Sequence, residues 1–132
     1  MKIEAKYSTV EQSKRLKELG VVQGKSERYW YTGDTGNNVD HLNITGNNYK
    51  GDDMCYSAFD VAELGELLPV GRRRIWKQHN GNGFEYTFTM KTSDWQDWEG
   101  FKTEAEARCA MLIIMLENKL VTPEEINNRL NS

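Results

Sequence analysis

Apolar positions in this chain follow two periods, and the switches between them mark its elements. Residues 101–120, FKTEAEARCAMLIIMLENKL, read as a helix with a legible start, body and end. Thr103 stands three residues before Glu106, a capping box in which each side chain satisfies an orphan amide of the first turn. The apolar run 110–116 exceeds what a half-exposed surface helix needs. That run predicts either the centre of the core or part of an interface. Ser8 and Glu11 form a second capping box, opening a helix that ends at Leu19 with Gly20 as its C′ residue. Its apolar face (Val10, Leu16, Leu19) is thin, so tertiary packing must hold it. Ser57 caps a third helix over 58–68, with Val61, Leu64 and Leu68 on one face and Pro69 ending it. Thr122, Pro123 at N1 and Glu125 at N3 open a last short helix, completed by Ile126 and Leu130.

The strands read by alternation and by β-branched or aromatic content. Residues 2–6 are strand-like, and 28–32 (RYWYT) are aromatic and β-branched. A short strand over 39–44 lies between two turn-like copies of Thr-Gly-Asn-Asn, at Thr35 and Thr45. Residues 73–78 and 84–90 flank the Gly/Asn-rich 79–83 as a hairpin. The second arm sets Phe84, Tyr86, Phe88 and Met90 against Glu85, Thr87 and Thr89, a half-buried antiparallel strand. Residues 94–100 follow as an acidic connection bearing Trp95 and Trp98. The fold class expected is α+β: one small antiparallel sheet of about three to five strands with three to four helices on one face. The helix after Thr103 lies at the centre of the core.

The chain has 132 residues, which suits a single domain, 1–132, with one sizeable core. Its longest apolar run is seven residues, far short of the roughly 20 that a membrane span needs. The start, MKIEAKYSTVEQ, carries no apolar signal-peptide region. Cys55 and Cys109 have no short spacing, which suggests a reduced cytoplasm, with Cys109 a small core residue of its helix. Asn43-Ile44-Thr45 matches a glycosylation acceptor only by chance if there is no secretory route.

The net charge of −3 conceals blocks. Residues 1–33 hold seven cations and four carboxylates, and residues 34–70 hold one and seven. Residues 71–91 hold five and one, and residues 92–132 hold four and eight. Interleaving of these blocks into a neutral surface is the preferred reading, so the totals imply no strong bias toward nucleic acid.

Three helical segments carry a resemblance. Glu11-Gln12 with Leu16-Lys17-Glu18-Leu19-Gly20, then Glu66-Leu67-Leu68-Pro69, then Thr103–Arg108 with Leu116–Leu120 together resemble short uncharacterised proteins of bacteriophage and prophage genomes. The order spans most of the chain, while residues 33–53 have no counterpart. The resemblance implies a phage-borne accessory product and brings no catalytic residues with it.

Motifs with chemistry fare poorly against plainer readings. Residues 20–26, GVVQGKS, look like a phosphate loop one residue short, but a helix precedes and a strand follows, inverting the required order. A helix C-cap and turn explain them better. His41, His79, Cys55 and Cys109 stand singly without metal-ligand spacing. Asp34, Asp40, Asp52 and Asp53 miss the EF-hand spacing and read as a solvated loop. No nucleophile elbow or Cys–His arrangement is present in the sequence, which leans away from an enzyme, and no metal or cofactor is implied.

Two patches remain as binding candidates. Arg72, Arg73, Arg74, Trp76 and Lys77 combine phosphate-binding cations with a stacking ring, as single-stranded nucleic-acid sites do. On a strand, Arg74 and Trp76 share one face while Arg73 and Ile75 share the other, with Ile75 toward the core. The preferred reading is a charged edge strand that discourages sheet-to-sheet aggregation. Trp95 and Trp98, among carboxylates, offer a surface for a basic protein or fold back over the core's edge, the latter preferred. The functional expectation is a non-enzymatic cytoplasmic accessory protein that binds another protein or forms a homodimer. The alternatives are a nucleic-acid binder through the basic strand, or a small-molecule binder with a pocket ringed by Trp30, Trp76 or the loops between Asp34 and Asp53.

Overall fold

The computed structural model describes residues 6–26, 28–31, 41–43, 55–68, 73–80, 83–91, 95–97 and 101–131. Of these, 41–43, 73–80, 83–91 and 95–97 are described by backbone pairing. The elements in chain order are α1 (Val10–Glu18), β1 (Arg28–Tyr31), β2 (His41–Asn43), β3 (Cys55–Ala58) and α2 (Val61–Leu67). They continue with β4 (Arg73–Asn80), β5 (Gly83–Lys91), β6 (Trp95–Asp97), α3 (Glu104–Glu117) and α4 (Pro123–Leu130). The class is α+β, as the alternation and helix signals require.

The sheet differs from expectation in number. Instead of one sheet, the described residues form two antiparallel three-stranded sheets, ordered β2-β1-β3 and β4-β5-β6. Among the described residues α2 stands between β3 and β4 in the chain, and the β4–β5 hairpin pairs onward with β6. Residues 94–100, expected as a connection, contribute β6. The segments expected at 2–5, the Thr-Gly-Asn-Asn turns at 35–38 and 45–48, and Pro69 lie outside the described residues.

α3 is central. Ala105, Cys109, Leu112 and Leu116 form one buried stripe, and Ala107, Met111 and Met115 form a second whose centre lies about 130° away around the axis. A helix buried on two sides needs an apolar body, which is why the run 110–116 has no polar interruption. Its remaining members, Ala110, Ile113 and Ile114, are partly buried and pack against the same cluster. α1 closes the intermediate side at two points. Gln12 Nε2 donates to the Glu106 carbonyl at 2.9 Å, and Arg15 pairs with Glu117 at 2.9 Å. α2 is tied by Arg108, whose Nη1 donates to the Val61 carbonyl at 2.8 Å. The guanidinium lies where a Cβ at Gly65 would stand, so the glycine inside α2 leaves room for it. α4 packs Ile126 into the core, and Arg129 Nη1 donates to the Leu67 carbonyl at 2.8 Å.

The caps shift relative to expectation for a common reason. α1 starts one residue later, with Thr9 and Gln12 as the capping box rather than Ser8 and Glu11. Ser8 is fully buried and already engaged by the Phe59 amide and Ser13 Oγ. Ser57 does not cap α2, because it sits in β3 opposite Tyr29 and its Oγ accepts from Gly24 N at 2.7 Å. Asp60 caps α2 instead, in a full box with Glu63. Thr103 accepts from Glu106 N, one half of the expected box, and Thr122 accepts from Glu125 N with Pro123 at N1 as expected.

Both α1 and α3 end in Schellman turns, and the two differ in the residue at C′. After α1, Gly20 N donates to Lys17 O and Val21 N to Leu16 O, with Gly20 at φ +99. After α3, Lys119 N donates to Leu116 O and Leu120 N to Met115 O, with Lys119 at φ 60. A non-glycine residue in this left-handed region carries steric cost. Lys119→Gly is therefore expected to raise unfolding stability by about 0.5–1 kcal/mol in a denaturant titration, and a loss of stability would contradict the geometry. Gly20→Ala is expected to cost about 1–2 kcal/mol, since the added Cβ is strained in φ and meets Pro123 Cβ at 3.2 Å. A neutral result there would mean that the α1 turn is not as described.

Candidate functional site

The basic and tryptophan-bearing candidates are carried largely by the β4-β5-β6 sheet. Arg72 and Trp98 lie outside the described residues. Arg73, Arg74, Trp76 and Lys77 lie on β4, and Trp95 opens β6. The register pairs Arg73 with Met90, Arg74 with Thr89, Ile75 with Phe88, Trp76 with Thr87 and Lys77 with Tyr86. Directly opposed residues of an antiparallel pair share a face. Ile75 therefore falls on the face of Phe84, Tyr86, Phe88 and Met90, together with positions 73 and 77. Arg74 and Trp76 fall on the opposite face with Thr87 and Thr89.

β6 extends that second face. Asp97 pairs with Thr89 and Trp95 with Lys91, which puts positions 74, 76, 91 and 95 on one side of the sheet. The two tryptophans, separate candidates in the sequence, thus share a face. They lie two strands apart and, through Thr87 and Lys91, four residues apart along β5. This corresponds to about 16 Å between the two backbone positions. Thr87, Thr89 and Lys91 join the candidates only through the register, which the hairpin closing at Asn80 opposite Gly83 sets.

The cations do not gather on either face. Positions 73 and 77 lie on one and 74 on the other, so what they share is the strand itself. β4 lies at the outer end of the order β4-β5-β6, which agrees with the edge-strand reading. Across the ladder they face Met90, Thr89 and Tyr86, and the one carboxylate of β5, Glu85, stands opposite Gln78 instead.

Other candidates resolve into structure. Trp30 is 9% exposed and its Nε1 donates to the Ser8 carbonyl at 2.8 Å, so it belongs to the core. The loops between Asp34 and Asp53, the other proposed pocket wall, lie outside the described residues. In the phosphate-loop-like stretch the amides of Gly20, Val21, Val22 and Gly24 are already taken. Val22 N donates to Asn127 Oδ1 and Gly24 N to Ser57 Oγ, both at 2.7 Å, which leaves a capped helix end and turn. Ser8 and Ser13 are fully buried in a directed chain. The Phe59 amide donates to Ser8 Oγ, Ser8 bonds Ser13 Oγ at 2.8 Å, and Ser13 donates to the Thr9 carbonyl. Because that carbonyl only accepts, the Ser8 proton points to Ser13. Both hydroxyl protons are spent inside the chain and both side chains are fully buried, which makes the chain structural.

Cys55 and Cys109 are buried in the core without a disulfide, and burial pushes the Cys109 thiol up from its ordinary value. The Arg28 guanidinium lies 5.3 Å from the centroid of the Tyr7 ring, and its buried Nη1 has no hydrogen-bond partner. Burial raises the Tyr7 hydroxyl, Arg28 opposes that rise, and Asp60 adds to it. Among the described residues no group of three or more His, Cys, Asp and Glu is placed to hold a metal, and no helix is long and apolar enough to cross a membrane.

Comparison with protein-family models, with curated proteins and with solved structures finds no match to this chain.

The buried thiol and phenol set the alkaline limit of stability. Each has its folded pKa raised, so the unfolded chain releases these protons first as pH rises. Their contribution is whole below the ordinary values of 9.0 and 10.0 and declines above them. Unfolding midpoints are expected to fall as pH rises past about 9, and Cys109→Ala to flatten the first part of that decline. A midpoint that rises over the same range would contradict the burial of these groups.

Proposed function

We propose that this chain is a non-enzymatic accessory protein of phage or prophage type that acts by binding another protein through the β4 side of its second sheet. The observation that carries this reading is the contrast between the chain's two concentrated features. The apolar run of α3 is taken up by the core, with Met111, Leu112, Met115 and Leu116 buried. The densest cationic run lies instead on a strand at the end of a sheet, without carboxylates opposite its cations. Burial of the α3 run favours a contact on the sheet over self-association through that helix. The resemblance of the α1, α2 and α3 segments to phage-type proteins supports the accessory role.

Nucleic acid is the second reading, favoured by positions 74, 76, 91 and 95 sharing one face. It is weaker because that face also carries Glu85 and Asp97, which cancel its two cations. A photo-crosslinking residue introduced at Gln78 discriminates the two in extracts of an infected or lysogenic host. Discrete adducts removed by protease and resistant to nuclease are expected. Nuclease-sensitive adducts, or none beyond those of the same group at exposed Lys14, would overturn the protein-binding reading.

A further inference from the structure

We infer that the outer edge of β4 accepts an acidic, extended segment of a partner polypeptide as an additional strand. The inference deepens the protein-binding reading and rests on it.

β4 is eight residues long, and its one strand neighbour among the described residues is β5. Alternate residues of an antiparallel strand direct N–H and C=O to each side, so the outer edge of β4 offers about four such residues for pairing. Strand addition satisfies those groups with main-chain hydrogen bonds and leaves selectivity to the flanking side chains.

The occupant is chosen by charge. Positions 73 and 77 lie on one face of β4 and position 74 on the other, so a strand laid along this edge has cationic positions beside it on both faces. The residues directly opposite them in β5 are Met90, Tyr86 and Thr89, and the carboxylates at 85 and 97 share only the face of position 74, leaving positions 73 and 77 without a counter-charge on theirs among the described strands. A second copy of β4 would bring its own Arg73, Arg74 and Lys77 against these and be repelled. The same cations that reject a copy of the chain favour an incoming strand rich in Asp and Glu. Nucleic acid matches the edge less well. Phosphates supply acceptors but no row of alternating donors, and the cations are divided between the two faces rather than collected on one.

The test uses the whole protein and the capped peptide Glu-Glu-Val-Thr-Glu-Glu-Val-Thr, whose carboxylates fall on both faces of an extended strand. Binding is expected by calorimetry at low salt, with slower hydrogen exchange at alternate β4 amides. The same peptide methylated on every backbone nitrogen keeps its charge and loses its donors. It is expected to bind roughly tenfold more weakly or not at all. The triple variant Arg73→Glu, Arg74→Glu, Lys77→Glu is expected to lose binding. A control with equal charge change at exposed sites, Lys14→Glu, Lys25→Glu, Lys102→Glu, guards against a general electrostatic effect and should retain it. If the β4 variant fails to fold, the methylated peptide and the control variant still decide the matter. Equal affinity for the methylated and unmethylated peptides would overturn strand addition and leave charge-driven protein binding intact. Binding of a single-stranded oligonucleotide in place of either peptide would overturn the protein-binding reading itself. No binding of the acidic peptide would overturn the inference alone.

Discussion

A helix with almost no polar face has to be covered from several directions, and α3 imposes that requirement on the rest of the fold. Two buried stripes run along it, one through Cys109 and Leu112 and one through Met111 and Met115. Burying a large aliphatic side chain contributes about 1.5–3 kcal/mol, so no arrangement that left either stripe in water would compete. α1, α2 and α4 are therefore gathered around one axis. The short helices α1 and α2 would not persist alone in water.

Polar side chains fix how those helices meet. Gln12 uses its carbonyl oxygen to cap α1 and its amide nitrogen to reach the Glu106 carbonyl, a dual role that a glutamate could not fill. Asn127 holds both the Gly20 carbonyl and the Val22 amide, so α4 fastens the turn that follows α1. Arg108 reaches the start of α2 across the space left by Gly65. These links are worth little singly, but those of Asn127 occupy backbone groups of the turn after α1 that would be costly to leave unpaired. The exposed Arg15–Glu117 pair adds orientation more than stability. The first sheet is joined to the helices by Ser8, which binds the Phe59 amide while its carbonyl receives the Trp30 indole.

Features governed by local chemistry were legible in the sequence. The α3 body, Gly20 at the end of α1, Pro123 at N1 and the β4–β5 alternation all follow from residues close together in the chain. The shifted caps were not legible, because Ser8 and Ser57 satisfy capping statistics and lose to partners far away in sequence, Phe59 and Gly24. The division into two sheets escaped for the same reason, since pairing among short strands is a long-range property. At the candidate site, the faces of Arg74, Trp76 and Ile75 followed from strand alternation. That Trp95 shares the face of Trp76 depended on β6 pairing with β5, which no local signal at 94–100 announced.

The central claim is that the apolar run of α3 is interior rather than a seam between copies. Native-state hydrogen exchange at two widely separated protein concentrations addresses it directly. Amides 109–116 are expected to exchange slowest in the molecule, through global unfolding, at rates that do not change with concentration. Protection of those amides that rises with concentration would show that association covers α3 and would contradict the account.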